Sequence, residues 1–123
     1  MNIPFTNHLP SEGADRRPPR SVLVIEAPEA MPLIEALEPR PQVMAVRFAH
    51  LSRMLLEKLD PDCIALPLLR PGFDALHVIE RLMELGYRGH ICAVSPPLPD
   101  QTMVEAELRA AAPGITVRLI ITG

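Results

Sequence analysis

Few residues in this 123-residue chain have the chemistry to act as nucleophile, base or ligand. Glu26, His50, Ser95 and Thr122 close its apolar runs, and a hydrolase or transferase would have to assemble a base and a nucleophile from these four. They form no recognisable signature. The six glycines make neither GxGxxG nor a Walker pattern, so nothing points to a nucleotide or flavin. Cys63 and Cys92 sit inside apolar runs without CxxC spacing or a neighbouring His, which reads as reduced core thiols, not a metal knuckle or redox pair. His50 reads as a surface or capping residue, and His77 and His90 fall on helix and strand surfaces. No catalytic residue, metal ligand or cofactor is expected. The alternative is a small α/β enzyme or ligand-binding domain using the polar groups at the strand ends.

The elements that must position these groups are legible from hydrophobic periodicity. Hydrophobic residues make up 48% of the chain and aromatics only 3%, so the core is aliphatic, and the length suits one domain. Residues 1–20 hold Pro4, Pro10, Gly13, Pro18 and Pro19 with no period, which predicts a flexible proline-rich tail before a domain over 21–123. Ser21 to Ile25 reads as a strand buried on both faces, and a helix carrying Met31, Leu33, Ile34 and Leu37 should follow before Pro39 and Pro41 stop it. Val43 to Phe48 is a second strand, and Leu51, Met54, Leu55 and Leu59 mark one face of a second helix ending at Asp60-Pro61. Cys63 to Leu66 is a third strand. Asp74 should cap a third helix that turns Leu76, Ile79, Leu82 and Met83 inward and ends at a left-handed Gly86. His90 to Ser95, a helix from Asp100 through Val104, Leu108 and Ala111, and a strand from Ile115 to Ile121 complete the alternation. Strict β-α alternation predicts a doubly wound α/β fold with a five-stranded parallel sheet, whose functional positions lie at the C-terminal strand ends.

The segment Pro61-Asp-Cys-Ile-Ala-Leu-Pro-Leu-Leu-Arg-Pro-Gly-Phe-Asp-Ala75 resembles the region around the phosphorylated aspartate of response-regulator receiver domains. The likeness extends from about Ser21 to Ile121, and it implies a flavodoxin-like strand order 2-1-3-4-5. On that resemblance Pro67 takes the place of the phospho-accepting aspartate, and proline has neither a nucleophile nor an N–H. The acidic pair after the first strand becomes Glu26-Ala27, one carboxylate where Mg²⁺ prefers several oxygens. Ser95 matches the family's switching hydroxyl, but Pro96, Pro97 and Pro99 stiffen the loop after it, so it reads as a turn residue. Ile120-Ile-Thr-Gly123 stands where the family has a Lys-Pro. The resemblance thus implies a degenerate receiver, a pseudo-receiver that acts in two-component signalling or transcriptional regulation without phosphorylation and without being an enzyme.

The same resemblance places a fifth helix after the last strand, and none follows here. Apolar side chains would then be open on one sheet face, with Val104, Leu108, Val117, Leu119 and Ile121 as partner-binding candidates. The expected partner is a regulatory protein or an identical subunit in a homodimer. A net charge of −3 gives no general attraction to nucleic acid or an anionic membrane, and no run of about 20 apolar residues spans a bilayer. A cytoplasmic location is expected, with no small-molecule substrate.

Overall fold

A computed structural model describes residues 19–122. The expected tail over 1–20 lies outside the described residues except for Pro19 and Arg20. Strands β1 (Ser21–Ile25), β2 (Gln42–Val46), β3 (Cys63–Pro67), β6 (His90–Ser95) and β7 (Thr116–Ile121) form one parallel sheet in the order β2-β1-β3-β6-β7. Counted within that sheet this is the order 2-1-3-4-5. Helices α1 (Met31–Glu35), α2 (Arg53–Leu59), α3 (Ala75–Glu84) and α4 (Gln101–Ala110) alternate with the strands, and no helix follows β7 among the described residues. No described helix is long and apolar enough to cross a membrane.

Two further strands interrupt the loop after β3. β4 (Leu69–Arg70) and β5 (Phe73–Asp74) form a small antiparallel hairpin around Pro71-Gly72. Pro71 presets the first turn angle and Gly72 supplies φ +94, the left-handed value required of the second turn residue.

Local chemistry explains the helix ends. Asp74 accepts from the His77 N–H at 3.0 Å while His77 Nδ1 accepts from the Asp74 N–H at 3.3 Å, a reciprocal cap. Gly86, at φ +87, closes α3: its N–H donates to Met83 O, and the Tyr87 N–H donates to Leu82 O. Ser52 caps α2 through the Leu55 N–H, and Asp100 caps α4 through the Met103 N–H. Two inward assignments change. Leu56 is buried, and Met54 is 76% exposed. On α3, Val78 is buried and Leu76 turns out to solvent.

The core divides along the sheet. On one face Leu23, Ile25, Ile64, Leu66, Ile91, Ala93, Val117 and Leu119 pack against α2, α3 and α4. On the other, Val22, Val24, Cys63, Ala65, Cys92, Val94 and Ile120 pack with Ala27, Ala30, Ile34 and Leu37 from the segment around α1. All seven strand residues of the second face are 0–2% exposed, so the open apolar face expected here is not found among the described residues. Leu108, Val117 and Leu119 are interior residues, and Val104 and Ile121 are half-buried against them. The β7 candidates are interior because alternation sends Val117, Leu119 and Ile121 beneath α4, and Thr116, Arg118 and Ile120 the other way.

One glycine is fixed by packing. A Cβ at Gly89 would lie 2.2 Å from Tyr87 Oη and 3.1 Å from the Asp62 carbonyl. We therefore expect Gly89→Ala to cost about 1–3 kcal/mol by urea unfolding, because the buried ring must move. An unchanged midpoint would refute this packing.

Candidate functional site

The C-terminal ends of β1, β3 and β6 converge on a small rim. Pro67 is the last residue of the central strand β3, buried and in register with Val94. Glu26 and Ala27 follow β1, and Ser95 ends β6. The strand ends thus gather Glu26, Ala27, Pro67 and Ser95, and the two polar side chains among them, Glu26 and Ser95, are already bonded within the chain.

Glu26 sits in the left-handed region at φ 48, which is uncommon for a residue with a side chain. Two bonds hold it there. Its N–H donates to Val46 O at 3.2 Å, and its carboxylate accepts from the Phe48 N–H at 2.8 Å. The carboxylate thereby satisfies the first N–H of the helical turn Phe48–His50 after β2, and the Phe48 ring lies tilted against Phe73 of the hairpin with centroids 5.0 Å apart. The carboxylate therefore acts as a structural acceptor between two loops.

The second carboxylate of the rim, Glu29, was not singled out from the sequence. It bonds the Arg70 guanidinium of β4, each side chain about three-tenths exposed. This ion pair ties the loop after β1 to the hairpin after β3. Nothing in residue spacing could announce it, since 41 positions separate the partners and only the β1–β3 pairing brings them together. At that exposure the pair contributes about 1 kcal/mol or less.

Ser95 is buried, and its hydroxyl donates to Pro96 O at 2.8 Å. Its carbonyl accepts from the Thr122 N–H at 2.7 Å, which also uses the backbone of that candidate. His50 stands on the exposed turn after β2, apart from these groups in the bonding pattern. No base bonded to a nucleophile results.

The cysteines fall on one sheet face with their Sγ atoms 3.7 Å apart, both free and buried. The Cys92 thiol and full burial hold the Cys63 thiol well above its ordinary range, which disfavours the reactive thiolate. His90 lies in register with Cys63, and its Nδ1 is buried without a partner among the described residues. Among the described residues no three His, Cys, Asp or Glu side chains are arranged to hold a metal ion.

No family model matches this chain, and no curated protein matches it. Among solved structures, the signal receiver domain of the response regulator NarL from Mycobacterium tuberculosis aligns over 80% of this chain and 82% of its own, with a TM-score of 0.54 and 17% identity. At that identity the likeness is one of fold: the chain has a receiver-like, flavodoxin-like architecture.

Proposed function

We propose that this chain is a pseudo-receiver, a module that binds a regulatory protein or a second copy of itself in the cytoplasm and performs no phosphoryl transfer. The observation that carries the reading is Pro67 at the tip of the central strand. An acyl phosphate needs a carboxylate at that point, and proline offers only ring methylenes. The surroundings agree, because Glu26 is committed to the Phe48 N–H and Glu29 to Arg70, so among the described residues of the rim no unengaged pair of carboxylates is left for Mg²⁺. With its polar groups spent on internal bonds, the rim supports recognition by shape better than the alternative of catalysis or ligand binding at the strand ends. The fold likeness to a signal receiver domain supports a signalling context.

Incubation with a small-molecule phosphodonor and Mg²⁺, followed by intact-mass and peptide mass spectrometry, tests the reading. The expected result is an unmodified chain. A stoichiometric gain of one phosphoryl group on any residue of the strand-end rim would overturn it.

A further inference from the structure

The two edges of the sheet are finished differently. At β7 the outward Leu119 N–H donates to Glu105 Oε2 at 2.8 Å, and the Val117 carbonyl accepts from Arg109 Nε at 3.3 Å. Glu105 and Arg109 pair with each other at 3.0 Å, so side chains of α4 close that edge.

At β2 the Gln42 N–H donates to Arg20 O, and Val46 O accepts from the Glu26 N–H. In a parallel ladder this places the peptide groups of Gln42, Met44 and Val46 toward β1. The N–H and C=O of Val43 and Ala45 therefore point outward, and among the described residues no side chain bonds them. The strand reads Gln-Val-Met-Ala-Val, without charge or proline, and it is exposed on both faces, Val43 at 36% and Met44 at 46%. Among the described residues no side chain, bulge or helix covers this edge, in contrast to β7.

We propose that β2 pairs antiparallel with β2 of a second copy about a two-fold axis through Met44, a specific form of the protein-binding role on which this inference rests. The axis sets Val43 opposite Ala45 of the second copy, and Ala45 opposite its Val43. Each such pair exchanges two hydrogen bonds, so four bonds satisfy every outward group of both strands. Met44 meets its own counterpart at the non-hydrogen-bonded position, where side chains come closest. The outward groups select this register. An axis through Val43 would set Ala45 against Pro41, which has no N–H to give, and an axis through Ala45 would set Val43 against Arg47 beyond the strand, whereas the axis through Met44 keeps every exchanged bond within β2. Met44 also lines a mixed cleft of about 460 Å³, where Leu23, Leu59 and Pro61 stand beside Ser21 and Lys58. A strange strand can borrow these groups, but an identical one meets them at matching spacing with an uncharged side chain at each place. Pairing of five residues falls well short of the roughly 800 Å² per partner of a stable complex, so this dimer dissociates on dilution.

Sedimentation of the full chain over a concentration series should show a monomer–dimer equilibrium. Met44→Lys and Met44→Glu should each weaken it at least tenfold, since like charges then face each other across the axis. An equal mixture of the two should dimerise again, which also shows that both fold. Val43→Pro removes an outward N–H without touching the β1 ladder and should likewise give monomer. A wild-type monomer at the highest concentration, or a dimer indifferent to Met44→Lys, would overturn the proposal. Either result leaves the protein-binding reading standing, because phosphoryl uptake is what sinks that reading.

Discussion

Alkali should destabilise this protein, with the urea midpoint falling steeply between pH 9 and pH 12. Burial, reinforced by Cys63, Cys92 and Asp62 nearby, pushes the Tyr87 phenol far above its ordinary value of 10.0. Its hydroxyl is held between the carbonyls of Pro61, at 3.3 Å, and His90, at 3.1 Å, both of which need the proton. Cys63, hydrogen-bonded to the Cys92 thiol and sealed in the sheet, is raised in the same direction from 9.0. Both are acids whose neutral form the fold favours. Their contribution is complete below the unfolded-state values and is lost as pH rises past them, because the unfolded chain releases protons that the folded chain retains. Each retained proton costs about 1.4 kcal/mol per pH unit, so the phenol alone removes about 3 kcal/mol by pH 12, and the thiol adds to it. Against a total stability of about 5–15 kcal/mol that is a large fraction. Denaturation at closely spaced pH values, compared with Tyr87→Phe, checks the cause. The variant should lose part of the alkaline slope, and identical slopes would remove Tyr87 from the account.

Ile64→Ala should lower stability by about 2–5 kcal/mol at neutral pH. Ile64 is fully buried in the central strand, with Leu23 in register on one side and Ile91 on the other. It belongs to the same packed cluster as Val78, Ile79 and Leu82 of α3. Neighbouring strands on both sides and a helix above leave the backbone little freedom to collapse into the space, so the cavity term adds to the lost transfer energy. Ile64→Val should cost about 1 kcal/mol by the same logic. Equal midpoints for Ile64→Ala and Ile64→Val would mean that this side chain does not fill the core as described.

The sequence by itself determined the alternation of strands and helices, because periods of two and 3.6 in apolar residues report directly which face each segment must bury. It also fixed the caps at Asp74, Gly86 and Asp100, whose effects reach only three or four residues along the chain. The placement of Pro67, Glu26 and Ser95 at strand ends follows from those elements. Tertiary structure decided what the strands share. Which side of β7 faces which helix depends on a register one residue wide, and that register turned Val117 and Leu119 from surface candidates into core. The Glu29–Arg70 pair, the commitment of Glu26 to Phe48 and the unlike finish of the two sheet edges also lie beyond local pattern. Each joins residues far apart in the chain, and only the folded sheet sets the distance between them.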